Sequence, residues 1–256
     1  MDPGYRSALI DFFRRGEVAR DVRLLAAQGG LAPRAQEQLA LLVLLADDPD
    51  HEIAHIANQT IASLPLGALL GFLAGPEATA EMRQFFAARG IMPDGVVQPA
   101  ASGEPLLDTL SDLPEEPEAA DPDHKMLSSL PVLERIKLAM KGTREQRAAL
   151  VRDSNKLVAA AVLSSPKLSE AEVEAFTRMG NVSEDVLRII GMNRGWLKNY
   201  GVVLGLCRHP KAPPALSMQL VHRLNEKDQK MLATDRNIPE ALRVLARKIM
   251  SKGKMG

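Results

Sequence analysis

The 256-residue sequence predicts an all-α protein in which two blocks of stacked short helices are joined by a disordered acidic linker. Apolar residues recur at helical spacing in both blocks, and no stretch alternates convincingly with the period of two that a half-buried strand requires. Aromatic residues make up only 4% of the chain, whereas sandwiches and barrels depend on Tyr, Phe and Trp. The predicted boundaries are residues 1–93 for the first block, 94–124 for the linker and 125–256 for the second block.

Glycines and prolines divide the first block into segments of roughly 10 to 15 residues, a common length for a globular helix. Apolar residues recur at helical spacing within these segments, so each is expected to form a helix that packs on its neighbours. The dividing residues are Gly29, Gly30, Pro33, Pro49, Pro65, Gly75 and Pro76.

The linker holds five of the 17 prolines and nine acidic residues between Asp94 and Asp123, with no basic residue among them. Such a composition buries too little apolar surface to offset the entropy of ordering it. We therefore expect this stretch to be disordered or extended. The exception is the segment from Leu106 to Leu113, which is expected to form a short amphipathic helix when a partner offers a groove.

Four turns in the second block share one pattern, in which a short turn is followed by Ser or Pro and then by an apolar helix. A Ser side chain accepts hydrogen bonds from free amides, and Pro fixes the φ angle of the first helical turn. The spacing is uneven, and the shortest interval, 14 residues, leaves room only for a very short helix. The turns begin near Ser165, Met179, His209 and Asp235.

The segment from Leu44 to Ala57 resembles a HEAT repeat, whose second helix opens with an Asp-Pro-x-x-Glu-Val pattern and continues with spaced alanines. It departs from that family at Ala54, where an Arg usually reaches an acid of the adjoining repeat. The turn from His209 to Pro213 is similar to that of the leucine-rich repeat variant family. The whole chain resembles bacterial proteins with HEAT-like repeats, which implies an α-α superhelix, or solenoid, and supplies no activity.

The cellular compartment of the protein is predicted from features that the sequence lacks. The single cysteine, Cys207, excludes an internal disulfide and favours a reducing compartment. The N-terminal residues lack the basic and apolar regions of a signal peptide. The longest uncharged stretch, from Ile53 to Pro76, is interrupted by polar residues and proline, so no transmembrane segment is predicted. We therefore expect a cytoplasmic protein.

Residues with catalytic or metal-binding chemistry are few. Cys207, His209 and His222 form the only group of this kind, and a zinc site needs three or four ligands that converge. His51 and His55 have the spacing of one helical face, but no third ligand accompanies them. We interpret all five as structural residues. The sequence therefore assigns no catalytic, cofactor-binding or metal-binding residue, and it predicts that the protein is not an enzyme.

Charge is distributed unevenly along a chain whose net charge is zero. Residues 1–123 contain 8 basic and 20 acidic residues, whereas residues 124–256 contain 24 basic and 12 acidic residues.

The second block also contains the single tryptophan, Trp196. Packing of Trp196 between repeats is the favoured interpretation, and exposure as a binding hot spot is the alternative. The candidate interaction surface consists of Lys137, Lys141, Arg144, Arg147, Arg152, Lys156, Arg194, Trp196, Lys198 and Tyr200.

These observations favour a non-enzymatic scaffold or adaptor that binds an unidentified protein partner, with the basic second block as its recognition module. The alternative is binding of nucleic acid by the same block through phosphate contacts. An acidic peptide is a third kind of ligand for a basic face. The protein's own acidic linker is one such peptide, because tethering gives it an effective concentration of about a millimolar.

Overall fold

The computed structural model describes four stretches of the chain, and over these stretches the protein is all-α, as predicted. No strand occurs within them. The described stretches are residues 8–31, 34–93, 105–107 and 124–253.

The chain divides into two compact units. The first comprises residues 1–120 with 164–166, and the second comprises residues 121–163 with 167–256. The division at residue 120 falls inside the predicted linker. Most of that linker lies outside the described residues, and so does the prediction that it is disordered.

The first unit contains six described helices, which pack both on their neighbours along the chain and on helices two or three positions away. The helix α2 contacts both α3 and α4, and α3 also contacts α1 and α6. The six are α1 (Ala8–Arg14), α2 (Arg20–Ala27), α3 (Ala35–Leu45), α4 (His51–Ser63), α5 (Leu66–Ala74) and α6 (Ala80–Ala87).

Side-chain caps explain where two of these helices begin. The Asp50 carboxylate accepts a hydrogen bond from the Glu52 amide at 3.1 Å, and the Thr79 hydroxyl accepts one from the Met82 amide at 3.2 Å. Each bond satisfies an amide that has no partner inside its helix. The apolar faces then meet in a buried cluster to which α3, α5 and α6 contribute Leu39, Leu42, Leu69, Phe72, Leu73, Met82 and Phe86.

The turn between α3 and α4 is fixed by a partly buried ion pair. Arg23 Nη1, from α2, donates to both carboxylate oxygens of Asp48 at 2.5 and 2.6 Å. The Asp48 side chain is only 5% exposed and also accepts a hydrogen bond from the Asp50 amide at 2.9 Å. An arginine of α2 therefore holds the turn that leads into α4.

A three-residue part of the predicted linker packs against the first unit. Leu106 and Leu107 contact the buried cluster, and Gln38 binds their main chain. This segment forms a bend and not a helix. Leu106 and Leu107 belong to the segment for which a helix was predicted in the presence of a partner, and the rest of that segment, 108–113, lies outside the described residues.

The second unit contains ten described helices and two short 3-10 helices, Trp196–Lys198 and Val221–Arg223. A helix begins after each of the four predicted turns, at α11, α12, α14 and α16. The ten are α7 (His124–Ser129), α8 (Val132–Lys141), α9 (Arg144–Leu150), α10 (Lys156–Leu163), α11 (Glu170–Phe176), α12 (Glu184–Met192), α13 (Tyr200–Arg208), α14 (Pro214–Leu220), α15 (Glu226–Thr234) and α16 (Glu240–Gly253).

Helices two apart along the chain contact each other in the second unit. The helix α10 contacts both α8 and α12, and α11 contacts both α9 and α13. Further along, α13 contacts α15, and α14 contacts α16. Chain neighbours such as α8 and α9 also pack together. The apolar face of an inner helix is therefore covered by helices before it and after it.

Glycine allows one of these approaches to be close. A Cβ atom added to Gly205 of α13 would lie 1.9 Å from the hydroxyl oxygen of Thr177, just after α11. Real Cβ atoms do not approach so closely, and Thr177 is only 1% exposed, so it has little room to move. The absence of a side chain at position 205 therefore sets the distance between α11 and α13.

The turn at Asp48 in the first unit has a counterpart in the second. Arg135 Nη1, from α8, donates to both carboxylate oxygens of Asp153 at 2.7 and 2.5 Å. Asp153 accepts from the Asn155 amide at 2.8 Å, and Asn155 accepts from the Leu157 amide at 2.9 Å to open α10. In both units, an arginine therefore holds the turn that leads into a helix two positions later in the chain. Arg23 of α2 holds the turn before α4, and Arg135 of α8 holds the turn before α10.

Within the described residues, no single helix has the length and apolarity needed to cross a bilayer. The bent pair α4 and α5 passes that test only when the two are taken together across a 91° break.

Candidate interaction surface

Ion pairs neutralise much of the basic charge that the sequence places at the start of the second unit. Lys137 pairs with Glu134 at 3.1 Å, and Lys156 pairs with Asp185 at 2.8 Å. Arg188 pairs with Glu184 at 2.6 Å. These pairs place negative charge beside the cations, so this region presents less net positive charge than its lysines and arginines alone indicate.

Arg147 lies in the interior and does not contribute to an interaction surface. It is only 4% exposed, and its guanidinium donates to Glu172 at 2.8 and 3.0 Å and to the Gly142 carbonyl at 2.7 Å. The sequence-based assignment of Arg147 to the surface is thereby corrected. The cause is a partner 25 residues away on α11, which no local pattern around Arg147 reveals.

Glu172 combines this ion pair with a helix cap. Burial alone would raise the pKa of the Glu172 carboxyl, but hydrogen bonds from the Ser169 amide and hydroxyl and from Arg147 outweigh it. The pKa is therefore held below its usual value. The Ser169 hydroxyl in turn accepts from the Glu172 amide at 3.3 Å, which completes a capping box at the start of α11.

The remaining cations of the predicted set differ in exposure. Arg144 is exposed at the start of α9. Lys141 is half-buried, and Arg152 is half-buried with its Nε donating to the Ala148 carbonyl at 2.9 Å. Arg194 and Lys198 are exposed on either side of Trp196.

The segment from Met192 to Tyr200 forms the best-defined exposed patch among these residues, and we call it the 192–200 patch. Met192 is 66% exposed and Tyr200 is 41% exposed, while Trp196 is half-buried. Neither the buried nor the fully exposed interpretation of Trp196 holds alone. One part of its side chain packs inside the unit, and another part reaches solvent.

Polar contacts stabilise the main chain of this patch and the Tyr200 hydroxyl. The Asn193 carboxamide accepts from the Gly195 amide at 2.9 Å, and Arg223 donates to the Leu197 carbonyl at 2.6 Å. The Tyr200 hydroxyl donates to Asp228 and accepts from the Asn225 amide at 3.3 Å. Burial and the Asp228 carboxylate together raise the pKa of the Tyr200 hydroxyl. A patch fixed in this way loses little conformational entropy when a partner binds.

The surplus of positive charge lies later in the chain than the predicted set. Residues 124–197 contain 12 basic and 8 acidic residues, whereas residues 198–256 contain 12 basic and only 4 acidic residues. Several of the later cations are exposed within the described residues. They are Lys198, Arg208, Lys211, Arg223, Lys227, Lys230, Arg236, Arg247 and Lys248.

Cys207 and His209 are both used by the fold. Cys207 is 1% exposed, and burial raises the pKa of its thiol to about 12, so the nucleophilic thiolate is scarce at neutral pH. His209 Nδ1 accepts from the Lys211 amide at 3.0 Å, so the proton lies on Nε2, which donates to the Met179 carbonyl at 3.0 Å. Neither ring nitrogen is left to bind a metal.

A cleft of about 340 Å³ opens beside His209. Thr177 and Gly205 form part of its wall, and the exposed side chains of Arg178 and Arg208 also line it. Glu174 pairs with Arg178. The two arginines place positive charge at the opening of this cleft, which suits the binding of an acidic group.

The chain matches no protein-family model, curated protein or solved structure. In the described part of the chain, no group of three or more His, Cys, Asp or Glu side chains is placed to hold a metal ion. The 192–200 patch and the exposed cations that follow it are therefore the features on which a functional interpretation depends.

Proposed function

We propose that this protein is a HEAT-like helical-repeat scaffold that binds another protein through the 192–200 patch. The contacts between helices two apart along the chain support the repeat arrangement, because stacked repeats bury their apolar faces on the units before and after. The paired turns at Asp48 and Asp153 support it further, since the same arginine-held geometry occurs in both units.

The observation that carries the choice of surface is the exposure of Met192 and Tyr200 next to exposed cations. Tyrosine, tryptophan and arginine dominate the energetics of protein interfaces, and methionine adapts to irregular partner surfaces. The partner that fits is a protein with an apolar depression bordered by acidic residues, which would face Arg194 and Lys198.

Co-purification of the full-length chain from its native cell tests this proposal. We expect a reproducible partner to be recovered with the wild-type chain and lost with Met192→Ser and with Lys198→Glu. Matched controls are Val244→Ser, which removes an apolar residue 52% exposed on α16, and Lys230→Glu on α15. Recovery of the same partner with all four variants would exclude this patch, and the absence of any partner would count against a scaffold.

A second candidate function is binding to the phosphate backbone of nucleic acid, and the eight-charge surplus in residues 198–256 favours it. The full-length chain would be titrated with duplex DNA across a salt series. Neutralised phosphates release counterions, so log affinity should fall linearly with log salt, with a slope of about −0.9 per phosphate contacted. Lys227→Glu with Lys230→Glu should reduce that slope. No binding at low salt would eliminate this candidate.

An acidic peptide as ligand, including the protein's own linker, remains a prediction. The acidic residues of the linker lie outside the described residues, and the part that is described, 105–107, contacts the first unit. Competition of the linker for the basic residues would be measured as tighter DNA binding after the acids between Asp94 and Asp123 are replaced by Asn and Gln.

A further inference from the structure

The buried amide of Gln38 has an unusual set of partners. Its Nε2 donates to the Gly29 carbonyl at 3.0 Å and to the Leu107 carbonyl at 2.7 Å. Its Oε1 accepts from the Leu106 amide at 2.8 Å and from the Leu107 amide at 3.1 Å. A glutamine side chain has two N–H donors and one oxygen with two lone pairs, so the four bonds use its full capacity.

Three of these four bonds go to the main chain of a segment 68 or 69 residues away in sequence. A side chain that binds main-chain groups recognises the path of the backbone, here a bend, and not a particular residue type. Selectivity comes from the neighbouring side chains, because Leu106 and Leu107 pack on the cluster that contains Leu39, Leu42 and Phe86. We call this arrangement the Gln38 pocket.

Gly29 completes the Gln38 pocket. It has a φ of +81°, a region that other residues rarely adopt, and its carbonyl fixes one N–H of Gln38. A Cβ atom added there would lie 3.4 Å from Gln38 Nε2 and 3.8 Å from a methyl group of Leu107. These are ordinary contact distances, so Gly29 is required by its φ angle and not by lack of space, and the turn that it forms after α2 orients the amide.

We propose that the Gln38 pocket is a binding site for a bent peptide segment with two adjacent leucine-sized side chains, and that Pro105–Leu107 is its displaceable intramolecular occupant. Removal of the occupant would leave three hydrogen bonds of Gln38 unmade, and a matching ligand would restore them. Leu106 and Leu107 are only half-buried, so a longer ligand has surface left to cover.

A labelled peptide of residues 103–109 tests this proposal by fluorescence anisotropy with three full-length chains. The wild-type chain should bind weakly, because its own segment competes at high effective concentration. A chain with Leu106→Ser and Leu107→Ser should bind at least about tenfold more tightly. Adding Gln38→Leu to that chain should reverse the gain by at least about tenfold.

A peptide N-methylated at the amide that corresponds to Leu107 is the matched control, because it keeps both side chains and loses one donor to Gln38. We expect it to bind at least about tenfold more weakly than the unmodified peptide. Equal binding of the two peptides would overturn main-chain recognition. If the double-serine chain keeps the wild-type helix content and melting temperature but binds no peptide, the segment is a structural element only.

Hydrogen exchange provides a readout that needs no added ligand. In the wild-type chain, the amides of Leu106 and Leu107 should exchange slowly, and Gln38→Leu should speed their exchange at least about tenfold. If the exchange rates of these two amides are the same in Gln38→Leu as in the wild-type chain, Gln38 does not bind the segment. None of these variants touches the second unit, so failure here and failure of the proposed scaffold function are distinguishable.

Discussion

Single side chains that accept a hydrogen bond from the amide two residues later set several of the turns. Asp48, Asp153 and Asp235 do so with a carboxylate, and His209 does so with Nδ1. Such local bonds fix a turn before a helix begins. The shared requirement is an acceptor at the right distance from the backbone, which the carboxylate and the imidazole both supply.

Replacement of His209 tests this role. His209→Ala should lower the free energy of unfolding by about 1–3 kcal/mol, because the Lys211 amide and the Met179 carbonyl each lose a partner. His209→Asn should lower it less, since an asparagine oxygen can still accept from Lys211. Urea unfolding followed by circular dichroism measures both. Equal stability of all three chains would contradict the role.

Single residues also show why the helix caps could be predicted from the sequence and the long-range side-chain contacts could not. Ser169 and Ser183 cap α11 and α12 through bonds that span three residues, so their role follows from local sequence. Arg147 and Gln38 bind partners 25 and 69 residues away, and no local pattern encodes such distances. The same local method therefore assigned the helix starts and misplaced Arg147.

Between elements, the approach of α11 and α13 depends on Gly205. Gly205→Ala should destabilise the second unit by about 1–3 kcal/mol, because a methyl group has no space beside Thr177. Gly67→Ala, which also adds a methyl group to a helix but in open space, is the control and should change stability by less than about 0.5 kcal/mol. Thermal unfolding compares them, and equal effects would refute the packing argument.

The ion pair of Arg147 and Glu172 joins α9 to α11. Arg147→Met or Glu172→Met alone should cost about 3–5 kcal/mol, because each leaves a buried charge without its partner. The double variant should cost much less than the sum, since both charges are gone. Urea unfolding of the four chains gives the coupling energy, and additive losses would show that the two residues act independently.

For the whole molecule, the pKa directions predict stability that declines at both ends of the pH scale. The pKa values of Asp50 and Glu172 are lowered, so their contribution is complete above about pH 4.5 and is lost as pH falls further. The pKa values of Cys207 and Tyr200 are raised, so their contribution is complete below about pH 9 and is lost as pH rises.

Melting temperature measured at intervals of about one pH unit, from roughly pH 3 to pH 11, checks this prediction. Glu172→Gln should flatten the acidic side, and Cys207→Ala should flatten the alkaline side, because each removes one titrating group. An alkaline decline that is unchanged in Cys207→Ala would show that another group is responsible.

For the whole molecule, the spacing of hydrophobic residues was enough to predict the all-α class. The same sequence patterns did not predict where in the chain the surplus of exposed positive charge lies. The sequence-based set centred on residues 137–156, where Glu134 and Asp185 neutralise Lys137 and Lys156 in the folded chain. Charge counts along a sequence do not say which charges pair in space. The repeated turn at Asp153 had a detectable signal, the Asp-x-Asn spacing that matches Asp48 and Asp50.

The attachment of Leu107 to Gln38 also joins positions that are 69 residues apart in the sequence. Closing so long a stretch of chain has an entropic cost that grows with the logarithm of its length. The hydrogen bonds of Gln38 and the apolar contacts of Leu106 and Leu107 offset that cost. A ligand that displaced Pro105–Leu107 would therefore be helped by the chain entropy that the displaced segment regains.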